Sequence, residues 1–219
     1  MARLGPALTL AAGGLVAATL GVLSVSAASS AGAPHAARAE TQSAEATTGA
    51  TPPKAVKTAR QAPARADYAG RVKGNGGLIA VSVRGGKVIA YFCDGKAEAW
   101  FTGRAGDGEV TLKGFGEATV STRLGDGKAS GELAIGGKTW DFTAPVAKKP
   151  SGLYRASAIV RGARVKAGWI VLADGTQTGA ARLDDRPVEA PVLTPGTDPT
   201  IEGTRVDAKD VDEFIGEMP

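Results

Sequence analysis

From Asp67 onward the chain reads in short alternating runs of apolar and polar residues. In "EVTLK", Val110 and Leu112 fall on one side and Glu109, Thr111 and Lys113 on the other. In "KTWDFT", Trp140 and Phe142 oppose Thr139, Asp141 and Thr143. "GLIAVSVR" places Ile79, Val81 and Val83 on one face and the smaller Ala80 and Ser82 on the other. A period of two is the signature of a half-buried β-strand. Between the runs stand Gly85-Gly86, Asp94-Gly95, Asp107-Gly108, Asp126-Gly127, Gly136-Gly137 and Asp174-Gly175. Such dipeptides supply the positive φ angles of tight hairpin turns.

The pattern predicts about ten strands, at 68–73, 77–84, 87–93, 97–104, 109–114, 117–123, 128–135, 138–143, 153–161 and 164–173. Residues 176–182 are an eleventh candidate. All connections but 144–152, which holds Pro145 and Pro150, are short enough for antiparallel neighbours. An open meander would leave two unpaired edges. The expected fold is therefore all-β, an antiparallel up-and-down β-barrel, with a β-sandwich as the alternative. Two segments, 78–83 and 165–172, are apolar on both faces, as expected where a second layer or the tail covers the barrel.

The aromatic residues set the limits of the domain. All eleven follow residue 67, and ten lie within 68–169. A core needs such side chains to offset chain entropy, so the domain is read as 67–182. Residues 40–66 are rich in Ala, Thr, Pro and Gln without apolar periodicity and read as a disordered linker. Residues 4–37 contain no charged side chain, apart from the titratable His35, and follow Arg3. Leu4 to Val25 is apolar, and Ala37-Arg38-Ala39 fits a small-x-small cleavage site. Residues 1–39 thus read as a signal peptide, or a membrane anchor if uncleaved, and the protein is expected to be secreted or at the cell surface.

The acidic tail, 183–219, holds prolines up to Pro199 and then "DVDEFIGEM". Val211, Phe214, Ile215 and Met218 lie at i, i+3, i+4 and i+7, one face of a short helix near 210–218. Asp210 and Glu213 have capping-box spacing. That face packs on its own domain, is disordered, or binds a partner protein. Residues 67–182 carry a net +7 and residues 183–219 a net −7, so the first of these would place the acidic tail against the basic barrel. The basic domain also suits an anionic envelope component. No run of five basic residues occurs, so nucleic acid is not expected.

Composition excludes several chemistries. His35 is the only histidine and precedes the domain. Ser-His-Asp and Cys-His hydrolases and histidine-ligated zinc are thereby removed. Cys93 is the only cysteine, so no intramolecular disulfide forms, and the thiol is expected to be buried as a small apolar group. "GNGG" at 74–77 and "GFG" at 114–116 lack the helix that a phosphate loop requires and read as turns. The tail acids lack EF-hand spacing. Neither a cofactor nor a metal is expected.

Two kinds of candidate residue remain. Trp100, Trp140 and Trp169, with Tyr91, are candidate ligand-binding residues, able to stack on a sugar or lipid at a barrel mouth; their competing role is core packing. Glu98, Glu117, Glu132 and Asp141 lie within strands, and a glycosidase needs two carboxylates about 5–9.5 Å apart. "VIAYFCDGKAEAWFTG", "TWDFTAP", "SGLYRA" and "GWIVLADGTQTG" resemble segments of uncharacterised secreted proteins of high-GC actinobacteria, as does the Ala/Gly/Arg/Asp-rich composition. The resemblance covers about 67–182 and implies export but no activity. The reading is an exported, non-enzymatic binding or interaction module; the alternative is a carboxylate-dependent hydrolase of envelope glycans.

Overall fold

The computed structural model describes residues 61–107 and 109–218. The expected export segment, and the linker up to residue 60, lie outside the described residues. Eight strands follow one another: β1 (Arg65–Val72), β2 (Leu78–Arg84), β3 (Lys87–Cys93), β4 (Glu98–Arg104), β5 (Glu109–Lys113), β6 (Thr119–Gly125), β7 (Lys128–Ile135) and β8 (Lys138–Pro145). Each pairs antiparallel with the next, and β1 pairs with β8, so the sheet closes. This is the expected up-and-down barrel, but it closes with eight strands rather than about ten and is complete at Pro145, so the expected strands at 153–161 and 164–173 lie outside it. The strand β1 starts at Arg65, inside the stretch read as linker, because Arg65 and Ala66 continue the ladder to Arg84 and Val83.

Local sequence explains the hairpins. Gly85 and Gly86 both have positive φ, 55° and 83°, the geometry of a two-residue turn that matches strand twist. Alternation then fills the barrel. Tyr68, Ile79, Val81, Phe92, Phe101, Leu112, Val120, Leu133 and Phe142 all point inward and form one continuous buried cluster. An eight-stranded barrel is narrow enough for its own side chains to fill.

The remaining strands make a separate sheet. It comprises β9 (Gly152–Val160), β10 (Ala163–Val171), β11 (Gln177–Leu183), β12 (Arg186–Val188) and, from the tail, β15 (Lys209–Asp210), in the order β12-β11-β10-β9-β15. The short pair β13 (Thr200–Ile201) and β14 (Thr204–Arg205) lies between. One face of this cover sheet sits on the barrel wall: Leu153 and Ile170 meet Leu78, Ala80, Ile89 and Tyr91. That contact is why 78–83 and 165–172 are apolar on both faces. The opposite face, with Trp169, Val165 and Ala181, is closed by Leu193, Ile201 and Val206.

The tail ends in α1 (Val211–Phe214) and a 3-10 turn (Ile215–Glu217). The Asp210–Glu213 capping box forms as the spacing predicts: Asp210 Oδ1 accepts from the Asp212 N–H at 2.8 Å, and Glu213 Oε2 from the Asp210 N–H at 3.0 Å. Val211, Phe214 and Ile215 are buried on the chain's own barrel, and Met218 packs beside them. A partner protein would reach this face only by displacing the helix. Asp212 holds the helix down through Arg65 and Arg84, both at 2.6 Å, and Lys149 at 3.2 Å. Glu217 reaches Lys209 at 2.9 Å and Arg155 at 3.8 Å. The acidic tail therefore neutralises part of the basic domain, as the charge split suggests.

Candidate functional site

The four candidate aromatic residues separate into three places. Tyr91 leaves the barrel wall from β3 and is fully buried under the cover sheet. Its ring stands 4.3 Å from that of Trp100 on β4, tilted by 33°. Its hydroxyl donates to Glu98 Oε2 at 2.8 Å. Burial first, and then the charges of Glu98 and Cys93 with their hydrogen bonds, raise this phenol well above its ordinary value. Trp100 meets the edge of Phe214 at 5.9 Å and lies under the Arg155 guanidinium at 6.0 Å. The sheet rests on this pair at Gly168, where a Cβ would stand 2.8 Å from Tyr91 Cζ and 2.9 Å from Trp100 Cζ2.

Trp169 points to the other face of the cover sheet and donates from Nε1 to the Pro191 carbonyl at 2.9 Å. Trp140 packs, half-buried, against the barrel core. The structure thus brings Tyr91, Trp100 and Glu98 together as a keystone between layers, and leaves Trp140 and Trp169 apart from them. Cys93 is buried in the same interlayer core, with its Sγ 3.5 Å from Thr178 Oγ1.

The concave ground lies outside the barrel. A junction cleft of about 480 Å³ opens beside the keystone, between Lys96, Ala97 and Glu98 on one wall and Ala180, Arg182 and Val188 on the other. A second cleft, of about 330 Å³, opens where β1 and β8 close the barrel, under the turn between β10 and β11. Ala69, Val146, Ala147 and Leu172 line it, with Arg71 and Asp174. Arg71 donates to Asp174 Oδ2 at 2.9 Å and Thr176 Oγ1 at 3.0 Å. Hydrogen bonds from the Thr176 backbone and hydroxyl, then from Arg71, hold the Asp174 carboxyl below its usual range. Sequence reading missed this pair: Arg71 reads as one solvent-facing charge between Gly70 and Val72 of an ordinary strand, and Asp174 is spoken for by its turn.

The strand carboxylates are dispersed. Glu98 serves the keystone, and Glu117 is exposed in the turn after β5. Glu132 and Asp141 are cross-strand partners on β7 and β8 and share a shallow cleft of about 340 Å³ with Glu109, Arg123 and Lys73. Among the described residues no group of three or more His, Cys, Asp and Glu side chains is placed to hold a metal ion. No helix among them is long and apolar enough to cross a membrane. Comparisons with protein-family models, curated proteins and solved structures return no match.

Proposed function

We propose that this protein is an exported, non-enzymatic binding module that acts at the cell surface and holds its ligand between the barrel and its cover sheet. The observation that supports this most is the filled barrel: the inward side chains form one cluster, and two clefts open where the cover sheet meets the barrel wall. Export rests on the charge-poor apolar stretch before residue 38 and on the resemblance to actinobacterial secreted proteins. Clefts of several hundred cubic ångströms suit a small ligand or a short segment of an envelope polymer. Native mass spectrometry of the full chain, recovered from an exporting host, tests the reading. Retained extra mass supports it, and a clean protein mass under every recovery condition counts against it.

One observation favours the second reading, a carboxylate-dependent glycan hydrolase. Glu132 and Asp141 stand directly opposite on one exposed face. Like charges in that position destabilise a sheet, so a catalytic use would account for them. Single changes Glu98→Gln, Glu117→Gln, Glu132→Gln and Asp141→Asn decide between the readings. A binding module tolerates all four. Loss of a glycan-cleaving activity in one folded variant makes the protein a hydrolase.

A further inference from the structure

The barrel seam allows the ligand class to be named, an inference that rests on the binding-module reading. Strands β1 and β8 pair at Arg71↔Thr143 and Val72↔Phe142, and again as a single bridge at Tyr68↔Val146. Between them the two backbones cross closely: a Cβ on Gly70 would stand 2.2 Å from the Thr143 carbonyl oxygen. Pro145, which has no N–H, lies on the β8 side of the gap. The ladder of the barrel wall is interrupted here, and Leu172, Ala173 and Asp174 from the β10–β11 connection line a cleft beside the interruption.

The cleft so formed is apolar along its length and charged at one end. Ala69 and Leu172 are buried at its floor, whereas Val146 is 44 % exposed, a large apolar side chain left open to solvent beside them. At the charged end, Arg71 and Asp174 are 57 % and 59 % exposed. An ion pair that open adds little stability, so its partner can be exchanged. Asp174 is independently held by the Thr176 N–H at 2.9 Å, and it stays in place when Arg71 turns away. A carboxylate already occupies the position that an incoming carboxylate would take on the guanidinium, whose planar fork suits that group.

We propose that the seam cleft binds a single-chain carboxylate amphiphile, with its acyl chain against Ala69, Val146 and Leu172 and its head group on Arg71 in place of Asp174. Bound this way, the chain covers the exposed Val146 and the head stays at the solvent edge.

Titration calorimetry of the full chain tests this, with decanoate as the probe, used below its micelle concentration, and decanol as its neutral counterpart. Decanoate binds saturably at one site. Arg71→Gln weakens decanoate by about tenfold or more, the scale of a lost charged hydrogen bond, and leaves decanol unchanged. Asp174→Asn tightens decanoate by up to about fivefold, because the competing charge goes while the Asn amide oxygen still accepts the Thr176 N–H. Val146→Ser weakens both probes. All three positions are exposed enough for the variants to fold. No saturable binding, or decanoate binding indifferent to both Arg71→Gln and Asp174→Asn, overturns the proposal. The binding-module reading fails separately, through a hydrolytic activity lost in a carboxylate variant. Extra mass retained from the host without decanoate binding would leave that reading standing and refute only the ligand class.

Discussion

Replacing Phe214 by Ala tests whether the C-terminal segment is part of the fold or a flap upon it. Phe214 is fully buried, and its ring meets the Trp100 edge at 87° with the Arg155 guanidinium 5.9 Å away. Val211 and Ile215 share the same core. Around the helix itself the other ties are the short β15–β9 ladder, ion pairs and one capping box, and the exposed ion pairs and the cap are each worth about 1 kcal/mol or less. Truncating a buried Phe costs about 3–5 kcal/mol, because transfer free energy is lost and the void closes incompletely. If the tail unfolds with the barrel, that whole amount appears in global stability. For a domain of this size it corresponds to a fall in Tm of about 6–20 °C. Urea and thermal unfolding followed by tryptophan fluorescence measure it, since Trp100 reports on the contact directly. Phe115→Ala is the control: that ring is 98 % exposed, and its loss is expected to stay within about 0.5 kcal/mol. A loss under about 1 kcal/mol for Phe214→Ala, with an unchanged denaturant slope, would refute the claim that the tail belongs to the cooperative unit.

Acid should act on the same segment. Burial pushes the Asp212 carboxyl up, but hydrogen bonds from Arg84 and Lys149 and the charges of Arg84 and Arg65 outweigh it, leaving Asp212 below the usual carboxylate range. A depressed folded value means stability that is present above the unfolded pKa, about 3.9, and lost as pH falls below it. Asp212→Asn is therefore expected to lower the urea midpoint at pH 7 and to flatten its decline in acid; an unaltered acid limb would contradict this. The Cys93 thiol, fully buried, should react with a thiol reagent only at the rate of unfolding, and no disulfide-linked dimer should appear on a non-reducing gel. Rapid labelling of native protein would show the interlayer core to be open. Gly168→Ala drives a methyl into Tyr91 and Trp100 and is expected to cost about 1–3 kcal/mol in urea unfolding, whereas a cost near zero would mean that the sheet does not rest on that pair.

The strands were legible because two local signals agree, alternating polarity and glycine-containing turns, and neither depends on distant residues. The presence of a covering layer was legible too, in the double-faced apolarity of Leu78, Ala80, Ile170 and Leu172. The helix at the end of the tail could be read from the spacing of Val211, Phe214 and Ile215 and its capping pair. Where the barrel closes was not legible. Closure at Pro145 depends on the register between β1 and β8, set by the close crossing at Gly70, and no local pattern encodes it. The strap over the far face of the sheet was equally hidden, since it is held by the isolated apolar residues Leu193, Ile201 and Val206 among prolines and turns. The site was least visible of all. Tryptophan is the usual beacon for a ligand surface, but Trp169 is spent on packing and Trp100 on the keystone. Arg71 and Asp174 meet across 103 residues of chain, and only closure of the barrel and docking of the cover sheet bring them together.

The central claim is that ligand is held outside a filled barrel, between its wall and the cover sheet. The most direct measurement is methyl and amide NMR mapping of the full chain during titration with decanoate. The account predicts shifts confined to Ala69–Arg71, Val146–Ala147 and Leu172–Asp174, around the seam cleft. Shifts centred on the inward-facing Val81, Ala90 and Leu133 would place the ligand inside the barrel and contradict it.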